Sequence, residues 1–353
     1  MSIRTRIAVT FCFLVGAAAG LLPVPVAAQQ AQKPIALRWQ DFGPIINSLP
    51  ALLARTEGLY DKAGLSVTLN PPIFNASQIV SVVLQGQAEI GYTGSTSMIP
   101  VVQQRRPAKI IAVIASGFET RIALTPKALD ALAKKGITPN SPFKDRVAAL
   151  RGLTIAAPAS GSTTDLGFRY SLKKNGIEPA RDLTIQPLPT SAAIMAVLRQ
   201  GTVDGMVGSY ASGVGQANVE GFGRTFIEFD KEDARLANAP YHILVASDDY
   251  VKANPEAVRR VLQAFQAAKN MIRRGLTADE LGRVKKQFYP DMDPATYKNL
   301  VDNTLAMLTG PMAATREQLE VLLDLNNAVA ETPVKLTMEQ LFDTRIAESV
   351  EKK

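Results

Sequence analysis

The chain runs through the same order of elements twice, and that repetition constrains its fold more than any other feature. In the first copy Ile35-Ala-Leu-Arg-Trp39 reads as a strand, and Ile46, Leu49 and Leu53 recur at helical spacing up to a stop at Lys62-Ala63-Gly64. Leu65-Ser-Val-Thr-Leu69 alternates as a strand. A second helix carries Ile79, Val80, Val83 and Leu84, ends near Gly86 and feeds the strand Glu89-Ile-Gly-Tyr92. In the second copy Leu153-Thr-Ile-Ala-Ala157 is a strand, a helix runs from Thr163 to Lys174 and stops at Asn175-Gly176, and Leu183-Thr-Ile185 is the next strand. The helix after it uses Ile194, Met195, Val197 and Leu198 and ends at Gln200-Gly201, as the first copy ends at Gln85-Gly86. One glycine stop is common, but five matching boundaries in order are not.

Strands alternating with helices at this pitch predict βαβ units, hence an α/β protein with mainly parallel sheets. Two βαβαβ halves fit either two lobes of a clamshell or one doubly wound sheet, and spacing does not choose between them. The intervening Ile110 to Ile114 and Arg121 to Leu124 are further strands suited to closing one lobe and crossing to another, and Tyr241 to Ala246 is a return strand. A long amphipathic helix follows, capped by Asn254, with Pro255 and Glu256 in its first turn and Val258, Leu262, Phe265 and Ile272 on its buried stripe. The helical remainder, through Leu319 to Leu325 and a tail helix from Met338 to Val350, is expected on the first lobe. The expected division is residues 33–125 with 231–353 as lobe 1 and 126–230 as lobe 2, joined by two hinge segments.

The N-terminus carries Arg4 and Arg6, an apolar run from Ile7 to Leu22, and the small-residue segment Val26-Ala27-Ala28, the order of a secretory signal peptide over residues 1–28. Gly16, Gly20, Pro23 and Pro25 interrupt the run, which argues against a membrane anchor. Cys12 is the only cysteine and would leave with the peptide, so neither a disulfide framework nor a lipid anchor is expected. Cleavage near Ala28 leaves a net charge of 39 − 2 − 32 = +5. With no dense Lys/Arg block, that excludes a nucleic-acid footprint. One histidine and no remaining cysteine leave almost nothing to build a transition-metal site from, and no cofactor or catalytic motif is present.

Trp39-Gln40-Asp41-Phe42-Gly43, the stretch from Gly58 to Val67, Gly86-Gln-Ala-Glu-Ile-Gly-Tyr-Thr-Gly94, Arg151-Gly-Leu-Thr-Ile-Ala-Ala-Pro-Ala-Ser-Gly-Ser162 and Gln200-Gly-Thr-Val-Asp204 resemble the substrate-binding proteins of ABC importers for aliphatic sulfonates, nitrate, taurine and thiamine precursors. The resemblance covers most of residues 34–275. It implies a two-lobed type II periplasmic-binding-protein fold, a small organic ligand in the interlobe cleft, and ABC permease subunits as partner; the signal peptide without a lipid anchor leads to the expectation of a periplasmic location, and a monomer is expected. The chain departs from the pattern in an extended Gly136 to Arg151 loop and in Asp41, where sulfonate binders of this type tend to carry a basic or neutral residue.

Ligands of open parallel sheets bind beyond the carboxyl ends of strands. The candidate contacts are therefore Gln40, Asp41, Phe42 and Gly43 after the first strand; Thr93, Gly94, Ser95 and Thr96 after the third; Ser160, Gly161, Ser162 and Thr163 in the second copy; and Ser116, Ser209 and Tyr210. Glycines with hydroxyls at a helix start suit an oxyanion, although the same hydroxyls serve as N-caps. Phe42 could stack on a ligand or staple a helix, Trp39 reads as packing, Tyr92 as core, and His242 as a satisfied structural histidine. Arg121 suits either a ligand anion or a structural ion pair. Asp41 facing two hydroxyl-rich helix starts points to a ligand with an anionic or carbonyl acceptor and a cationic or N–H donor, such as an amino-sulfonate, an amino acid-like or a pyrimidine compound. The competing role for Asp41 is capping a helix that begins near Pro44. The function expected is non-enzymatic solute capture. The alternatives are a ligand-sensing module for a membrane partner and an enzyme resembling thiamine-pyrimidine synthases, which depend on a histidine and a cysteine-rich segment that this chain lacks.

Overall fold

The computed structural model describes residues 33–352, so the expected signal peptide, Cys12 and the cleavage point near Ala28 lie outside the described residues. The first copy of the repeat supplies β1 (Ile35–Gln40), α1 (Leu49–Thr56), β2 (Leu65–Leu69), α2 (Ala76–Leu84) and β3 (Ile90–Gly94). The strands β4 (Ala108–Ser116) and β5 (Arg121–Leu124) follow. The second copy supplies β6 (Thr154–Pro158), α3 (Thr163–Lys174), β7 (Thr184–Leu188), α4 (Ser191–Gln200) and β8 (Gly205–Gly208), after which come β9 (Arg224–Glu228) and β10 (Pro240–Ser247). Beyond them lie α5 (Pro255–Arg273), α6 (Pro294–Asp302), α7 (Arg316–Asn327) and α8 (Arg345–Glu351).

The ten strands form two five-stranded sheets of the same plan, ordered β2-β1-β3-β10-β4 and β7-β6-β8-β5-β9. The first three strands of each order are parallel, and the fourth, β10 or β5, runs antiparallel to both its neighbours. The repeat is therefore two separate sheets, not one doubly wound sheet. The expected division puts β5, before residue 125, in the first lobe, yet its backbone bonds go to β8 and β9, so it is part of the second sheet. The backbone crosses between sheets at 117–120 and again at 229–239, each crossing directly flanked by the antiparallel strand of the sheet it enters.

Local chemistry sets the element ends. Asn75 caps α2 through Gln78 N–H, Thr190 caps α4 through Ala193 N–H, and Gly201 stops α4 at a φ of 67°, where a β-carbon would be strained. The expected first helix is divided: a 3-10 turn at Ile46–Ser48 leads into α1, and Gly58, at a φ of 61°, separates α1 from a short helix at Leu59–Lys62. The Gly136 to Arg151 segment, expected as a loop, contains the helix Phe143–Ala148. Asn254 stands at the N-cap position of α5, but its side chain makes no capping bond. The tail is two short helices, Met338–Leu341 and α8, broken at Phe342 where the chain bridges β4 at Ile110.

Val258, Leu262, Phe265 and Ile272 of α5 are buried, and the Phe265 ring stacks on Trp39 of β1 at 5.7 Å. Side chains of this size each stabilise the core by about 1.5–3 kcal/mol. The C-terminal segment also reaches the second crossing and the turn after β8: α7 pairs Asp324 with Arg235 at 2.6 Å, and Asn299 of α6 accepts a hydrogen bond from the Tyr210 hydroxyl at 2.8 Å. No helix among the described residues is long and apolar enough to cross a membrane.

Candidate ligand-binding cleft

The loops after β1 and β3 of the first sheet meet those after β6 and β8 of the second. Asn47, in the 3-10 turn after β1, donates its amide to Ser209 Oγ at 3.3 Å. Thr96 Oγ1 lies 3.0 Å from Thr163 Oγ1, and the Tyr241 hydroxyl bonds to Thr164 Oγ1 at 3.1 Å and to Ser209. The approach is close enough that a β-carbon at Gly94 would lie 2.5 Å from Thr163 Oγ1, so glycine is required there for the two sides to touch. Nearly all of these side chains are buried.

Behind the hydroxyls lies a run of rings. The His242 ring sits 4.5 Å from that of Tyr241, 5.1 Å from Tyr92 and 5.8 Å from Phe42, and Phe118 meets Tyr241 edge-on at 5.5 Å. The Tyr92 hydroxyl donates to the Asn47 carbonyl at 3.0 Å, which leaves its oxygen to accept from His242 Nδ1 at 3.1 Å. Burial pulls the imidazole pKa down to about 3, so the ring is neutral over the physiological range.

The charged groups around the cleft are already committed to one another. Asp41 pairs with Arg55, accepts the Trp39 indole N–H at 2.8 Å and accepts the Gly43 N–H at 2.8 Å. Its carboxylate therefore pins the loop that carries Phe42. It neither caps a helix at Pro44 nor stands free to meet a ligand cation. Arg121, near the first crossing, faces Glu119, Glu228 and Asp230 at 3.4–3.5 Å and lies over the Tyr210 ring, which resolves its role as a structural ion pair. Glu119 accepts the Tyr210 N–H at 2.9 Å, and burial raises the pKa of both Glu119 and Asp230.

Of the residues singled out from the sequence, Phe42, Thr96, Thr163 and Ser209 lie where the elements of the two sheets meet, with Gly94 at the point of closest approach. Tyr210 adjoins them, turned toward α6. Several others do structural work. Gln40 donates to the Pro71 carbonyl at 2.9 Å, Thr93 to the Ala76 carbonyl at 3.0 Å, and Ser95 to the Pro240 carbonyl. Ser116 accepts from Gln318 of α7. Ser160 is exposed, Ser162 caps α3, and the Gly161 N–H goes to Asp165 Oδ2 at 2.9 Å.

The sequence reading missed Asn47, Glu119 and Tyr241. Asn47 had a signal, an amide directly after the apolar run Pro44-Ile-Ile46. Tyr241 and Glu119 had none, because only the crossings bring them to the cleft. No group of three or more potential metal-ligating side chains exists among the described residues.

Two β-α-β-built mixed sheets with facing polar loops define the periplasmic-binding-protein fold, and solved structures share it. A protein of Bordetella bronchiseptica RB50 superposes with a TM-score of 0.73 at 18% identity, covering 91% of this chain and 98% of that one. The periplasmic aliphatic sulphonate binding protein SsuA of Escherichia coli gives 0.63 at 18% identity over 85% and 95% of the two chains. The periplasmic nitrate-binding protein NrtA of Synechocystis PCC 6803 gives 0.67 at 15% identity over 91% and 89%. The sequence model of the NMT1-like family matches residues 41–284, and the chain belongs to that family. No curated protein sequence matches it.

Proposed function

We propose that this protein is a periplasmic solute-binding protein of an ABC importer: it captures a small organic ligand between two lobes, one on each sheet, and presents it to permease subunits in the membrane. Under this reading the lobes part at 117–120 and 229–239, a revision of the 125/126 division that moves β5 to the second lobe. One observation carries the proposal. The first sheet's elements touch the second's side chain to side chain at Asn47–Ser209, Thr96–Thr163 and Tyr241–Thr164, while among the described residues the backbone crosses between the sheets twice, the arrangement a hinge needs to close on a ligand. The SsuA and NrtA relatives, named for sulphonate and nitrate binding, support the general role. Capture without chemical transformation fits a sole histidine that is neutral and hydrogen-bonded, and a sole cysteine in the expected leader. Ligand contacts are assigned to Phe42, Asn47, Thr96, Thr163, Thr164, Ser209, Tyr241 and His242.

The test uses the absence of cysteine after the leader. Nitroxide labels at the exposed positions Asp61→Cys and Lys134→Cys, one on each lobe, report the interlobe distance. A ligand confirmed by calorimetry should shorten and narrow the distance distribution. Identical distributions with and without that ligand refute closure.

A further inference from the structure

Resting on the cleft assignment above, the geometry points to a cleft that rejects anions and takes a ligand that donates N–H and carries no negative charge, with Asp165 as the residue that sets this specificity. The anion position such a cleft could offer is the N-terminus of α3, where backbone N–H groups and the helix dipole favour negative charge. Here the chain sets a carboxylate of its own beside that position. Asp165, only 1% exposed in the first turn of α3, accepts the Gly161 N–H through Oδ2 at 2.9 Å, and Arg169 closes on it at 2.9 Å. Ser162 Oγ takes the Asp165 N–H. The hydroxyls of Thr163 and Thr164 turn to Thr96 and Tyr241.

The other charges work in the same direction. Arg55 pairs with Asp41, and Arg121 is enclosed by the three carboxylates of Glu119, Glu228 and Asp230, so the charge of each of these two guanidinium groups is already balanced by carboxylate, although their Nε–H groups make no hydrogen bond. An incoming anion would lose its water without gaining a free cation, and an uncompensated buried charge is strongly disfavoured. Asn47 supplies the positive half of the argument. It is 3% exposed, its amide nitrogen is used across the cleft, and its Oδ1 is buried with no hydrogen-bond partner. That oxygen accepts only, and a ligand N–H satisfies it where a sulfonate, nitrate or carboxylate oxygen cannot.

The experiment is a thermal-shift screen at neutral pH, followed by calorimetry, on a panel split evenly between anions and N–H donors without negative charge. It includes the matched pairs benzoate and benzamide, and methanesulfonate and methanesulfonamide, together with nitrate. The expected result is stabilisation confined to the N–H donors in the wild type. Asp165→Asn should remove the negative charge beside the helix start and bring at least a tenfold gain in affinity for methanesulfonate or nitrate. Asp165→Asn with Arg169→Gln, which leaves the local charge balance unchanged, should do so too if the single variant folds poorly. Stabilisation by anions alone overturns this inference and leaves solute binding standing, as does an anion affinity unaltered in both variants. A panel in which nothing stabilises the protein overturns solute binding and this inference together.

Discussion

His242 is the chain's sole histidine, which turns its burial into a direct measurement. In the fold its pKa is lowered by burial from 6.5 to about 3, while the unfolded chain keeps the ordinary value. Between those limits the unfolded state binds the extra proton, so stability falls as pH falls from about 6.5 toward 3. The full shift of about 3.5 units corresponds to roughly 5 kcal/mol, and acidifying from neutrality to about pH 4 costs about 3 kcal/mol of it through this one side chain. Urea unfolding at the two pH values should show that loss in the wild type beyond what His242→Gln shows, since glutamine keeps a polar group near Tyr92 but cannot take up the proton. The single imidazole Cε1–H resonance should hold its neutral shift down to at least about pH 4. A resonance titrating near 6.5, or equal acid sensitivity in the two proteins, refutes the argument that the ring is sealed in the cleft floor.

Arg55→Met leaves the Asp41 carboxylate buried and unpaired, so chemical denaturation should show a loss of about 3–5 kcal/mol, partly recovered by adding Asp41→Asn; a loss under about 1 kcal/mol would mean the pair is solvated. Gly94→Ala places a β-carbon against Thr163 Oγ1, so calorimetry should find weaker ligand binding and scattering a more open molecule, with little change in melting temperature. Lys269, 1% exposed and donating to the Ile114 carbonyl, has its pKa lowered by burial to about 7. Wild-type stability should therefore rise as pH goes from about 7 toward 10, because the unfolded chain binds the extra proton there, and Lys269→Met should remove that slope in paired denaturation curves.

The repeat, the helix caps and the order of the strands were legible from residues 35–247, because apolar periodicity and glycine or Asn/Thr punctuation are local properties of the chain. Local signals also placed four polar loops at the carboxyl ends of parallel strands, and four of the residues picked there lie where the elements of the two sheets meet. What those signals left open was partnership. Whether two βαβαβ units make one sheet or two depends on where β5 and β10 find their hydrogen bonds, and that is decided by pairing between segments far apart in sequence, such as Leu124 with Gly205 and His242 with Gly94. Asp41 looks from the sequence like a free carboxylate at a strand end, and only the fold brings Arg55 of α1 to it. Asp165 looks like an ordinary first-turn acid, and its meaning for specificity comes from the burial of the helix start against the other sheet's loops. Sequence fixes which groups carry charge and hydroxyl, whereas the cost of burying them, and so which remain available to a ligand, is set by the neighbours that tertiary folding brings within bonding distance.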